Sequence, residues 1–139
     1  MAKNCEEAAR WYVKAAEQGF AQAQCNLGDL YEKGNGVPLN LNEAVRWYKK
    51  AVDQGFAWSQ HCLGKLFEDG RGVPQSDAEA VRLYTQAADQ AFPPAQCSLG
   101  AMYETGRGVA KSKAKAMRWY KMAAAQGSPE AQRKLRGMS

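Results

Sequence analysis

The sequence predicts an all-α solenoid of eight antiparallel helices, and three observations predict it. First, the chain repeats. AQCNLG from Ala23, SQHCLG from Ser59, AQCSLG from Ala95 and AQRKLR from Ala131 stand in register, each starting 36 residues after the last. EAARWYVKAAEQG from Glu7, EAVRWYKKAVDQG from Glu43, EAVRLYTQAADQA from Glu79 and KAMRWYKMAAAQG from Lys115 do the same. Second, each period holds two stretches whose apolar residues recur at helical spacing. Third, glycine and proline separate those stretches at fixed places. A period of this size marks small units stacked in a line, each burying its apolar face on its neighbours.

The elements follow in order. The chain opens in mid-period on a lone second helix, about residues 5–18, closed by Gly19. The first helix of repeat 1 is expected over about residues 20–33, with Ala23, Leu27, Leu30 and Tyr31 on its apolar face. It stops at Gly34-Asn35-Gly36-Val37-Pro38, repeated as Gly70-Arg71-Gly72-Val73-Pro74 and Gly106-Arg107-Gly108-Val109-Ala110. Glycine accepts the left-handed conformation that closes a helix, and proline soon afterwards prevents its continuation. Asn40, Ser76 and Ser112 are then placed as N-caps of the second helices. The second helix of repeat 1 is expected over about residues 41–54, ending at Gly55; Gly127 ends its counterpart, and Ala91 stands where glycine is otherwise found. The chain closes on a lone first helix, about residues 129–136. The units are 1–19, 20–55, 56–91, 92–127 and 128–139, the last a capping half-unit in which Arg133, Lys134 and Arg136 present a polar face.

Composition narrows the function. The chain has 139 residues, a net charge of +5 and 45% hydrophobic residues, enough for a packed interior. No stretch approaches the roughly 18 consecutive apolar residues of a membrane span, and the start MAKNCEEAARWY has no apolar run of a signal peptide. Cys5, Cys25, Cys62 and Cys97 form no CxxC, and no repeat carries a pair. Four free thiols in a reducing, cytoplasmic setting are the expectation. Charge is uneven: residues 107–139 hold nine basic residues and one acid, while residues 1–106 hold ten basic and thirteen acidic. The basic segment 107–136 is a solvated cap or, as the alternative function, a site for an anion or nucleic acid.

Catalytic and metal constellations are weak. Gly106-Arg107-Gly108-Val109-Ala110-Lys111-Ser112 lacks the glycine that a phosphate loop needs before its lysine, and it follows a helix rather than a strand. His61 is the one histidine. Its sequence neighbour Cys62 points away from it on a helix, so no nucleophile–base pair is formed there. Cys25, His61 and Cys97 share a column, but ligand bonds of about 2 Å to one metal do not span helices about 8–10 Å apart. No enzyme activity, metal, cofactor or small-molecule substrate is expected.

The pattern A-Q-x-x-L-G-x-x-Y-x-x-G-x-G-V-P, followed by E-A-x-x-W-Y-x-x-A-x-x-Q-G, resembles the SEL-one-like repeat (SLR), a relative of the tetratricopeptide repeat, over nearly the whole chain. The resemblance implies a right-handed α-solenoid serving as a protein-binding adaptor or scaffold, monomeric or part of a longer solenoid. Some secreted members carry a disulfide in each repeat; the corresponding positions here are Val52 and Gln60, which favours the reduced branch. It further implies that the first helices line a concave groove.

Comparing the repeats with one another separates scaffold from recognition. A wheel centred on Leu27 puts Ala23, Leu30, Tyr31 and Gly34 on the buried side, with Gln24 and Gly28 at its margin. Gln22, Cys25, Asp29 and Lys33 fall opposite, as do Trp58, His61, Lys65 and Asp69 in repeat 2 and Pro94, Cys97, Ala101 and Thr105 in repeat 3. These twelve are the expected groove. Trp58, His61 and Lys65 are its expected hot spot, because aromatic anchors dominate interfaces. Trp58 is placed either in solvent or against Phe56. Trp11, Trp47 and Trp119, with Leu83 in the fourth place, are expected in the core, as are Tyr12, Tyr48, Tyr84 and Tyr120. Three invariant sets, led by Gln24, Gln18 and Arg10, are expected to satisfy loop carbonyls and caps between units. Glu32, Glu68 and Glu104 lie near helix C-termini, where the dipole disfavours them; the arginine of the following second helix is the expected counter-charge.

Overall fold

The computed structural model describes residues 2–138, with side chains from residue 6. It is an all-α solenoid: α1 (Ala2–Glu17), α2 (Ala21–Lys33), α3 (Leu41–Asp53), α4 (Ala57–Asp69), α5 (Asp77–Ala88), α6 (Pro93–Thr105), α7 (Lys113–Ala125) and α8 (Pro129–Met138). The most extensive packing is within α2/α3, α4/α5 and α6/α7, and each pair then packs on the next. Cys5 lies outside the described side chains.

Local chemistry sets the helix ends. Gly34, Gly70 and Gly106 close the first helices at φ 70°, 67° and 72°, each donating its N–H to the carbonyl four residues back. Three clips then turn the chain into the second helix: the N–H groups of Asn40, Ser76 and Ser112 bond back to the carbonyls of Tyr31, Phe67 and Tyr103 at 2.9–3.0 Å. The same residues' side chains accept from Glu43, Glu79 and Lys115 N–H at 3.1–3.2 Å. Each such cap is worth about 1 kcal/mol. Ala91 holds the glycine position at φ 64°, a conformation that costs an L-residue about 1–2 kcal/mol.

Within a unit, one contact fixes how closely the two helices approach. Tyr48, Tyr84 and Tyr120 are fully buried, each lying flat on Gly28, Gly64 or Gly100. A Cβ at any of these glycines would sit 2.7 Å from the nearest ring carbon. Each tyrosine hydroxyl donates to a carboxylate on the preceding first helix: Tyr48 to Glu32 at 2.8 Å, Tyr84 to Glu68 at 2.6 Å and Tyr120 to Glu104 at 2.8 Å. Burial, followed by the carboxylate for Tyr84 and Tyr120, pushes these phenols well above their ordinary value, so they remain donors.

Between units, two polar joints repeat. In the first, Gln54 Nε2 donates to Gly19 O and to Gln24 Oε1, both at 2.9 Å, and buried Gln24 passes a bond to Ala16 O. Gln90 repeats this on Gly55 and Gln60, and Gln126 bonds Gln96 at 3.0 Å. The invariant glutamines therefore satisfy loop carbonyls and one another, as expected. In the second, the counter-charge of the glutamates comes from the glycine loop of the next unit: Arg71 reaches Glu32 at 3.1 Å and Arg107 reaches Glu68 at 3.0 Å. This corrects the expectation of a second-helix arginine. Arg46 and Arg82 are instead held one turn back by Glu43 and Glu79 at 2.9 Å, and Arg46 covers the Trp47 ring at 4.6 Å. A one-turn ion pair needs no rearrangement of the chain, whereas a loop arginine one unit ahead lies directly over the helix C-terminus.

The tryptophan column also needs correction. Trp47 is 7% exposed and packs on Ala23 and Leu27 of its own unit's first helix and on Ala16 of the unit before. Leu83 is buried and Trp119 packs on the cluster around Tyr84. Trp11, in the same column, is 70% exposed: among the described residues no first helix lies against it as α2 lies against Trp47.

Candidate functional site

The first helices α2 and α4, with the start of α6 and the loop after α4, enclose a cavity of about 370 Å³. Seven of the twelve expected groove residues line it: Asp29, Lys33, Trp58, His61, Lys65, Asp69 and Pro94. Glu32, Cys62, Leu66, Arg71 and Phe92 complete the wall. Gln22, Ala101 and Thr105 lie outside it. Thr105 spends its hydroxyl on the carbonyl of Ala101 at 2.8 Å.

Cys25 and Cys97 are not groove residues. They are 2% and 4% exposed. The helical wheel assigns one buried arc to each helix, but a first helix in a stack meets two neighbours. Cys25 faces its partner in the next unit and joins the cluster of Leu63, Leu66 and Leu83. Cys97 is likewise covered by the next unit, with Ser128 Oγ at 3.5 Å and Ala131 in its cluster.

Trp58 is 55% exposed. It tilts against Phe92 with ring centroids 5.9 Å apart, so its neighbour is the residue that opens α6 rather than Phe56. His61 lies 5.9 Å from Phe92 and 5.6 Å from Tyr84, centroid to centroid, and its Nε2 is 3.2 Å from Ser98 Oγ. Trp58, His61 and Phe92 make an aromatic wall across the repeat 2–repeat 3 junction. The opposite wall is charged and nearly balanced: Asp29 holds Lys33 at 3.0 Å, Glu32 holds Arg71, and Lys65 and Asp69 stand at the rim. Phe92 and Arg71 escaped the sequence reading because both lie outside the first-helix wheel. Their signal was the 36-residue register, which sets each helix start and glycine loop beside the preceding first helix.

The neighbouring Cys62 thiol raises the Cys25 pKa, with burial acting the same way. The same interaction, with smaller help from His61 and Tyr48, lowers the Cys62 pKa against its burial. Among the described residues no group of three metal-ligating side chains comes together, and no helix is long and apolar enough to cross a membrane. An aromatic wall facing paired charges is suited to gripping a polypeptide, whose side chains offer both.

Residues 1–20, 21–56, 59–92 and 93–128 match the family model of the Sel1 repeat. The chain belongs to the Sel1 repeat family. A solved structure of c5321, a protective antigen present in uropathogenic Escherichia coli strains and displaying an SLR fold, is 39% identical with a TM-score of 0.86, over 89% of this chain and 27% of that one. A Sel1 repeat protein from Oxalobacter formigenes is 44% identical with a TM-score of 0.83, over 91% of this chain and 52% of that one. This chain thus spans about a quarter of the first relative and half of the second. Helicobacter pylori cysteine rich protein B shares the fold at 23% identity and a TM-score of 0.73, covering 94% of each chain. A sequence comparison with curated proteins finds no match. Sel1-repeat proteins generally act as protein-interaction modules and are typically non-catalytic.

Proposed function

We propose that this chain is a non-catalytic adaptor or scaffold that holds a protein or peptide in the groove lined by the first helices, with Trp58 as anchor and His61 and Lys65 beside it. The carrying observation is Trp58 itself: a half-exposed aromatic at a position filled by Gln22, Pro94 and Glu130 in the sister units. The repeat scaffold does not require it, and an exposed tryptophan over a cavity is the side chain that most often dominates an interface.

The test uses peptides selected from a random displayed library on the immobilised chain. Trp58→Ala should weaken the selected peptides by about 30-fold or more, the equivalent of about 2 kcal/mol. Its melting should stay within about 0.5 kcal/mol of the parent, as for surface substitutions. Neutralising Lys111, Lys113 and Lys115 should leave binding largely intact. Peptides indifferent to Trp58 but lost with the lysines, and falling steeply with added salt, would move the site to the basic segment and favour the anion or nucleic-acid reading.

A further inference from the structure

One chemical group in the cavity has no part in gripping a peptide. Cys62 is half-buried in the cavity wall, and Cys25 lies behind it, closed from solvent. They come from different units, Cys25 from α2 and Cys62 from α4. The register of the stack makes them meet. One unit further on, the equivalent positions are His61 and Ser98, whose side chains are 3.2 Å apart. In repeats 1 and 2 the same spacing sets Cys25 and Cys62 in one cluster, where each thiol shifts the other's ionisation. Cys97 has no such sulfur partner: its neighbour is Ser128 Oγ. The chain therefore places one dithiol at a junction between repeats, with one sulfur open to the cavity and the other shielded.

We propose that Cys62 and Cys25 form an oxidant-reactive dithiol site, in which Cys62 takes oxygen from a hydroperoxide and Cys25 resolves the product to a disulfide joining repeat 1 to repeat 2. In the first step the Cys62 thiolate attacks the peroxide. An S–O bond forms, the O–O bond breaks, and the departing oxygen takes a proton from water to leave as water or an alcohol. Cys62 becomes a sulfenic acid. In the second step Cys25 attacks the Cys62 sulfur. The S–S bond forms and the S–O bond breaks, and the hydroxyl leaves as water with the Cys25 proton. Two thiols lose two electrons and the peroxide gains them. The order follows from access: the peroxide reaches Cys62 through the cavity, while Cys25 meets only protein.

The intact, reduced chain is treated at pH 7 with hydrogen peroxide, alkylated without reduction and mapped by mass spectrometry. The expected product is a Cys25–Cys62 cross-linked peptide, two hydrogens lighter than the sum of its parts. Brief labelling of the untreated chain with iodoacetamide should modify Cys62 on the order of tenfold faster than Cys97. In Cys25→Ser the cross-link should vanish and dimedone should trap Cys62 as its sulfenic acid. The proposal is overturned if Cys62 labels no faster than Cys97, or if peroxide yields only intermolecular disulfides or over-oxidised Cys62 in the parent chain. Because both decisive readouts use the unmutated protein and need no peptide, they stand or fall separately from the groove.

Discussion

Trp47 and Trp11 hold the same place in successive units, on second helices of nearly identical sequence, and meet opposite surroundings. Trp47 is buried between the first helix of its own unit and α1 of the unit before, while Trp11 faces solvent. The difference shows where this solenoid's cohesion lies. Tyr48 lies on Gly28 of its own unit's first helix, and Trp47 packs on that same helix and on Ala16 of the preceding unit. Tyr12 is partly buried against the cluster of α1 and α2, whereas Trp11 is exposed. Position in the stack, rather than residue identity, decides what an invariant residue does.

The strongest attack on that comparison is Trp47→Ala. Deleting a buried aromatic at a unit junction should cost about 3–5 kcal/mol, read as a lowered urea midpoint. Hydrogen exchange should rise first in α1 and α2, the helices that Trp47 holds. Equal exchange in all helices would mean that the column is not a junction. Gly64→Ala addresses the contact inside a unit. Its new Cβ would stand 2.7 Å from Tyr84 Cε1, and the buried ring cannot withdraw without breaking its bond to Glu68. Overpacking of this kind costs about 1–3 kcal/mol. The loss should appear in α4 and α5, leaving the exchange of α1 unchanged.

Much of this was legible in the sequence, for physical reasons. The period, the glycine stops and the caps at Asn40, Ser76 and Ser112 are local, and local chemistry repeats wherever the residues do. The glutamine joint was legible because residues fixed in every copy serve the unit. Three features were not. The exposure of Trp11 depends on a neighbour and not on its own helix. The burial of Cys25 and Cys97 depends on a second contact face that a single-helix wheel does not contain. The cationic partners of Glu32 and Glu68 come from a loop one unit ahead, and nothing in either glutamate's own unit points there. In the cavity, the first-helix contributions were readable, while Phe92, Arg71 and the Cys25–Cys62 meeting required the stacking geometry.

Gln90 and Gln18 sharpen the comparison with polar groups. Gln90→Ala removes the donor to Gly55 O and to the buried oxygen of Gln60. Leaving that oxygen unpaired should cost about 1–2 kcal/mol. Gln18, the equivalent residue after α1, is exposed as Gln90 is, but among the described residues its side chain makes no such pair of bonds, so Gln18→Ala should cost far less. Matched urea melts of the two variants check this, and equal losses would show that the joint carries nothing beyond the side chain's local effect.

The smallest expected effect is the most discriminating. Trp11→Ala removes as many atoms as Trp47→Ala, from the same repeat position, yet the ring is 70% exposed and its cation contact, Lys14 at 5.4 Å, is a surface one. Surface substitutions usually stay within about 0.5 kcal/mol, so the urea midpoint should barely move. The helix itself should gain slightly, since alanine is the better helix former by a few tenths of a kcal/mol. A loss approaching that of Trp47→Ala would mean that Trp11 is covered in solution, and sedimentation of the parent chain would then show association through the α1 face. If the melt is unchanged and the chain sediments as a monomer, the two tryptophans differ only in whether a first helix lies against them.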